Sequence, residues 1–396
     1  MLANSRIPPE LSVVLILTFG AFSLGMAEFT TIWLLPEMAN SLDTTTAKIG
    51  PVASFYALGV LVGTPILALF GTTLPRQKLL TYLLLWCFIG NLATSFVSSY
   101  SQLQWVRFFS GVPHGVFLGV SGVIFAQMLP AHQLGKAIGV LMAGIGVALL
   151  LIVPLTTYFG EIQDWRAIFR VVALMDLLII ILLHDLIPVL PAPSANAGWK
   201  ELKTLKNPLL WWILALSTTA ICGRMAIFAF AAPLVTEVAL LPTSKLPLIV
   251  ICGGIGTVVG FLLGGYFADK NALKTLWYSL LWCLVVMVAF QMLIPHASLS
   301  YLAFFLLGTF MLIVPSLQVL SMRYAANGCT FASCLNHSAM NAANAAGPLL
   351  AGLLIGAGYH WESLTWMGML ICAFALLIFV LGWWWFKPYR AVSTQP

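Results

Sequence analysis

Residues 11–36 form one apolar run that carries a single charge, Glu28. A run of that length crosses a bilayer, because about 20 helical residues rising roughly 1.5 Å each span ~30 Å of hydrocarbon. No water is present there to serve the backbone, so the run has to be helical. A carboxylate inside it costs at least ~2.5 kcal/mol on insertion scales. A partner charge, a wet cavity or a bound proton must offset that cost.

The pattern recurs along the chain. Of 396 residues, 8% are charged and 61% hydrophobic, where a soluble domain carries about 25% charged residues. Apolar runs fall at 11–35, 47–71, 78–98, 101–129, 134–159, 167–188, 208–238, 246–268, 274–294, 299–322, 331–357 and 363–386. They predict an all-α polytopic membrane protein with twelve transmembrane helices. The first run is too long for a signal peptide and has no small-residue cleavage site, so it reads as a retained helix. The longest break, Pro188 to Asn207, divides six helices from six. The expected organisation is an N-terminal six-helix bundle over 1–188, a cytoplasmic linker over 189–207 and a C-terminal bundle over 208–396.

Twelve helices put both termini on one side. With the termini inside, the inner breaks hold Arg6, Arg76, Lys78, Lys136, Lys200, Lys203, Lys206, Lys270, Lys274, Arg323, Lys387 and Arg390, while the outer ends hold Lys48, Arg166, Arg170 and Lys245. Twelve against four sets cytoplasmic termini by the positive-inside rule, and the inner membrane is the expected location. The basic residues stand singly, which argues against nucleic acid as a partner. Seven cysteines form no CxxC or CxxH cluster, so no metal site is expected.

The halves repeat weakly. Gly59 and Gly63 precede Gly256 and Gly260 by 197 residues, Pro154 precedes Pro348 by 194, and Glu28 precedes Arg224 by 196. A near-constant offset of half the chain implies two parallel repeats with a site between them near the midplane. Glycines at four-residue spacing (Gly111, Gly115 and Gly119; Gly256, Gly260 and Gly264) mark faces where helix backbones approach closely.

Few side chains within the spans can do chemistry. Arg107 and His114 are seven apart on the fourth helix and share a face. Arg107 and Glu28 each lie about two turns from the outer end, so a Glu28–Arg107 pair would offset both charges. Arg224, near the centre of the seventh helix, is a second candidate partner. Glu28 is then either half of a structural ion pair or a cavity group that binds a proton or substrate. Burial favours the neutral acid and a nearby guanidinium favours the carboxylate, so a conformational change can load and unload a proton. Arg107 and His114 would support that switch. His337, Asn341 and Asn344 fall at i, i+4 and i+7, one stripe of the eleventh helix, which either bonds neighbouring helices or lines a cavity. With Glu28 and Arg224 they are the expected substrate contacts, suited to an anionic solute. Asp176, His184 and Asp185 read as structural or snorkelling groups. No pore-lining ring points to a channel, and no HExxH-like constellation points to a membrane-embedded enzyme.

Several stretches resemble arabinose-efflux-type permeases, of the drug:proton antiporter branch of the major facilitator superfamily. They are Gly25–Met26–Ala27–Glu28–Phe29 with Leu34–Leu35–Pro36–Glu37, Tyr56–Ala57–Leu58–Gly59–Val60 with Gly63 and Pro65, and Arg107 with Ser110–Gly111, Pro113–His114–Gly115 and Gly119. Asp164–Trp165–Arg166 before Phe169, and Val314–Pro315 with Leu317–Gln318, fit as well. The resemblance covers essentially the whole chain. It implies two pseudo-symmetric six-helix bundles that rock about a central cavity. It also implies export of a small organic solute (a sugar, drug or metabolite such as a siderophore) in exchange for protons. No cofactor beyond the proton gradient is expected, and the protein would act as a monomer in the lipid bilayer. A proton-coupled uptake symporter or facilitator of the same fold stays open.

The family's loop motif between helices 2 and 3 keeps Gly71, Arg76 and Lys78, but Thr72–Thr73 stand where its acid would be. The second-half counterpart is intact as Gly265–Tyr266–Phe267–Ala268–Asp269–Lys270 with Lys274. Arg76, Lys78, Gly265, Asp269 and Lys270 are therefore the expected conformational switch. The helix 5 antiporter motif is partial: Gly144, Gly146 and Pro154 remain, while Val153, Leu155 and Thr156 replace glycines beside the proline.

Overall fold

The computed structural model describes residues 8–45, 49, 51–71, 73–161, 165–186, 201–325 and 329–386. Arg6, Lys48, Lys200, Lys387, Arg390 and most of the expected linker lie outside them. Twelve spans fill the described chain: α1 (Pro9–Trp33), α2 (Val52–Gly71), α3 (Arg76–Thr94), α4 (Tyr100–Met128), α5 (Leu134–Glu161), α6 (Trp165–Leu186), α7 (Pro208–Phe228), α8 (246–270), α9 (272–293), α10 (Ser300–Tyr324), α11 (Cys329–Gly356) and α12 (Ser363–Trp385). Among the described residues ten stretches are long and apolar enough to cross a membrane; one of them, Thr243–Leu293, holds both α8 and α9, and α3 is not among the ten. Those two are separated by Asn271, whose backbone is extended (φ −165°, ψ 99°) and whose side chain accepts from the Lys274 N–H at 2.9 Å as an N-cap.

Some spans are less regular than the apolar runs suggest. The fourth is broken between Gly111 and His114, because Pro113 has no N–H for the helical ladder. The seventh ends at Phe228, and Leu234–Val238 continues as a π turn beyond it. The tenth tightens to a 3₁₀ turn at Phe310–Leu312.

The two halves pack alike, atom for atom in places. In the first, α2 lies against α4 so closely that a Cβ on Gly59 would sit 1.9 Å from the Phe108 carbonyl oxygen. In the second, α8 lies against α10 so that a Cβ on Gly256 would sit 1.9 Å from the Phe305 carbonyl oxygen. Trp86 of α3 donates to the Phe109 carbonyl at 2.9 Å, and Trp282 of α9 donates to the Thr309 hydroxyl at 3.0 Å. The fold is thus two pseudo-symmetric six-helix bundles. Their outer faces expose Phe70, Ile89, Leu174 and Leu370 at 56–71%. Water would penalise such a surface and lipid does not.

At the end of the bundle where α1 begins and α12 finishes, hereafter the near end, the halves touch backbone to backbone. A Cβ on Gly265 of α8 would lie 2.5 Å from the Gly135 carbonyl of α5, and one on Gly119 of α4 would lie 2.5 Å from Cys334 Sγ of α11.

Candidate functional site

Glu28 sits five residues before the end of α1 and is half-buried. Its contact comes from the other half: Asn344 Nδ2 of α11 donates to Glu28 Oε1 at 3.4 Å. Neither candidate ion pair is formed in this conformation. Among the described residues no salt bridge within 4.0 Å joins Glu28 to Arg107 or to Arg224. Arg107 is instead held beside the acid. Its Nη2 donates to the Ala27 carbonyl at 2.7 Å, one peptide before Glu28. Its guanidinium lies 4.4 Å from the Tyr56 ring centroid and 5.3 Å from that of Phe169. Aromatic faces favour a desolvated cation. Its Nε and Nη1 have no hydrogen-bond partner, although the residue is fully buried.

Tyr56 joins the parts. Its hydroxyl pairs with His114 Nδ1 at 2.9 Å while its ring carries Arg107. The break in α4 therefore leaves both polar residues on one tyrosine. Sequence reasoning quoted Tyr56 only within a resemblance; no local signal separated it from an ordinary core aromatic.

The α11 stripe faces the first half in part. Asn344 reaches Glu28. Asn341 Nδ2 donates to the His337 carbonyl in its own helix at 3.1 Å. Asn341 Oδ1 and His337 Nε2 are buried and unpartnered. Arg224 turns into its own bundle, with Nε on the Leu307 carbonyl at 3.3 Å, Nη2 on Thr257 at 3.4 Å and its guanidinium 4.8 Å from the Phe228 ring centroid. No carboxylate pairs with it among the described residues.

Two further polar clusters lie inside the bundles, the first around Asp176 and the second absent from the sequence reading. Asp176 of α6, 1% exposed, accepts from Ser23 at 2.6 Å and from Asn91 at 2.8 Å. It ties α1 and α3 to α6 rather than snorkelling to an interface. In the second half Ser217 donates to Asn336 at 2.6 Å, Asn336 to Gln318 at 2.7 Å, and Gln318 to Ser333 at 2.5 Å. Ser333 then donates across the bundles to the Gly119 carbonyl at 2.9 Å.

The switch residues gather at the near end. Asp269 accepts from the N–H groups of Gly135 at 2.6 Å and Lys136 at 3.0 Å, the first turn of α5 in the other half. The amino groups of Lys136 and Lys270 stand 5.5 and 4.4 Å from the Tyr266 ring centroid. Arg76 is buried and donates to Thr330 of α11 at 3.4 Å, while Lys78 is exposed.

The sequence profile described as Major Facilitator Superfamily matches residues 17–336. The chain belongs to that superfamily. It is a membrane transporter of small molecules rather than an enzyme, and its twelve spans in two halves are the superfamily's fold. Among curated relatives, the chain is 29% identical to the "Inner membrane transport protein YdhP" of Escherichia coli over 92% of this chain and 94% of that one. It is 28% identical to the "Putative transporter AraJ" of the same organism over 96% and 97%. To a "Probable sugar efflux transporter" of Helicobacter pylori it is 25% identical over 87% and 90%.

Proposed function

We propose that this superfamily member exports a small organic solute in exchange for protons, working by alternating access between bundles 1–188 and 208–396. The observation that carries the reading is the half-buried acid of α1, bonded to a neutral amide of the opposite bundle and flanked by a buried arginine with two idle nitrogens. In this conformation Glu28 shares a weak bond with Asn344. When the bundles rock, that bond breaks and the carboxylate can turn to the free Nε and Nη1 of Arg107. The environment of Glu28 then alternates between one that favours its proton and one that favours its charge. Tyr56 and His114 hold Arg107 in register. His337 Nε2 and Asn341 Oδ1, buried and unpartnered, supply polar groups for the solute from the second half, and Arg224, a cation suited to an anionic solute, joins them when it leaves Leu307 and Thr257.

Export is favoured by the relative named for sugar efflux, and an inner-membrane setting by the relative named for it. The basic-residue asymmetry puts the near end and both termini in the cytoplasm, and the chain works as a monomer. The test is reconstitution into liposomes with the solute whose cellular level rises when the protein is removed. An imposed pH gradient should drive that solute against its own gradient, and a protonophore should abolish the movement. Uptake in the direction of proton flow would overturn antiport.

A further inference from the structure

The near end closes on two helix starts, and the two closures differ. At the first, the third residue of α5, Lys136, gives its N–H to Asp269, in the last turn of α8 of the other half. At the second, the third residue of α11, Phe331, gives its N–H to Glu201 Oε2 at 2.6 Å. A first-turn N–H has no partner within its helix, and the helix start is electropositive, so a carboxylate suits both places. The repeat would supply the second carboxylate from the loop between α2 and α3. Asn271 begins α9 as Pro75 begins α3, so Asp269 corresponds to Thr73. Thr73 is exposed and its hydroxyl donates to the Phe70 carbonyl in its own helix at 3.0 Å.

Glu201 comes from the segment before α7, where it is the single acid of residues 189–207. Residues 201–207 are strapped to the second half: Thr204 donates to the Ala325 carbonyl at 2.7 Å and Asn207 to the Tyr324 carbonyl at 2.5 Å. Glu201 is 8% exposed, as is Arg76, which reaches the same helix start from the first half through Thr330. A guanidinium brought alone to the positive end of a helix would be repelled. With the Glu201 oxygens there, it meets an acceptor-rich surface.

We propose that Glu201 replaces the acid missing from the first-half loop: it caps α11 from the linker and so forms the seat on which Arg76 docks when the near end closes. Glu201 is thereby a working part of the gate, and the two halves of the gate are chemically unequal. One latch is an aspartate in the last turn of α8 that crosses the bundles itself. The other is an arginine that crosses the bundles to Thr330, on a helix start that a carboxylate already caps.

The proposal uses alternating access only to give closure a meaning. Its test needs neither solute nor proton gradient, so its failure is separable from failure of the antiport reading. Amide exchange by mass spectrometry on the full chain in lipid nanodiscs follows two segments, 329–336 and 134–140. Glu201→Ala should raise exchange about tenfold in 329–336, the scale of a lost cap, and raise it in 134–140 as well, because one opening exposes both. Glu201→Gln keeps an acceptor oxygen and should stay near wild type. Glu201→Ala with Thr73→Asp should restore protection at both segments. Unchanged exchange in Glu201→Ala overturns the proposal. So does a rise confined to 329–336, which makes Glu201 a local cap without a part in closure. Failure of Thr73→Asp to restore protection overturns the claim of replacement.

Discussion

Asn344 and Glu28 lie 316 residues apart and share a 3.4 Å hydrogen bond between α11 and α1. The bond joins the two bundles at the one acid of α1 beyond its first turn. It is long for a charge-assisted bond, so it fits a contact made in one conformation and given up in another. Asn344→Ala should leave the thermal midpoint in detergent within about 2 °C of wild type, since a part-exposed contact contributes little. It should slow proton-linked exchange about tenfold in liposomes, the scale of one hydrogen bond to a charged group.

Arg107 holds a backbone carbonyl and two aromatic faces, and not a carboxylate. Arg107→Met keeps length and apolar packing while removing a costly buried charge. It should fold with a melting midpoint at or above wild type and lose pH-driven transport. Arg107→Lys keeps the charge but not the planar fork, and should retain partial transport. Detergent melting curves beside liposome flux separate the two effects.

The packing repeat predicts paired sensitivity. Gly59→Ala and Gly256→Ala each place a Cβ 1.9 Å from a carbonyl oxygen of the neighbouring helix. Both should lower stability by about 1–3 kcal/mol, the usual scale of overpacking, and by similar amounts. Gly356→Ala meets nothing within 4 Å and should be silent. Thermal unfolding of the three variants in one detergent checks this.

Asp176 is buried, but both its oxygens accept from neutral donors within the first half. Asp176→Asn replaces one acceptor oxygen with a donor. It should lower stability by about 1–2 kcal/mol while the pH dependence of transport stays that of wild type. A shifted pH profile would make Asp176 a second proton site.

Acidity should also act at the near end. Burial pushes the Glu201 carboxyl above its ordinary value of 4.5, against the pull of the Phe331 N–H, the Thr330 hydroxyl and the Arg76 guanidinium. A group whose pKa is raised in the closed form binds its proton more tightly there, so this contribution to closure is full below 4.5 and fades as pH rises through the raised value. Amide exchange of 329–336, corrected for intrinsic rates, should therefore increase with pH over that window. In Glu201→Gln the increase should be absent.

Length and hydropathy were enough to read twelve spans, because a bilayer admits few alternatives to helices of about 20 residues. The half-chain offset of glycines was legible for the same reason that Gly59 and Gly256 are fixed: no side chain fits there. Rotamer choice was not legible. Glu28 and Arg107 were placed at one depth, but nothing in their spacing says that the arginine turns to Ala27 and the acid to Asn344. The break at Pro113 and the role of Tyr56 depend on how α2 and α4 cross. Arg224 reads as a substrate contact, and nothing in its spacing says that in this conformation it turns to Leu307 and Thr257. Glu201 stood out in no pattern, since its partner is a backbone N–H 130 residues away.

The exchange of partners at Glu28 is tested most directly by Glu28→Gln in sealed liposomes, measuring solute movement with and without a pH gradient. Gln keeps the size and the bond to Asn344 but carries no titrating proton. Solute-for-solute exchange should persist near the wild-type rate, and the response to the pH gradient should vanish. Solute accumulation driven by the pH gradient at the wild-type rate would contradict Glu28 as the proton carrier.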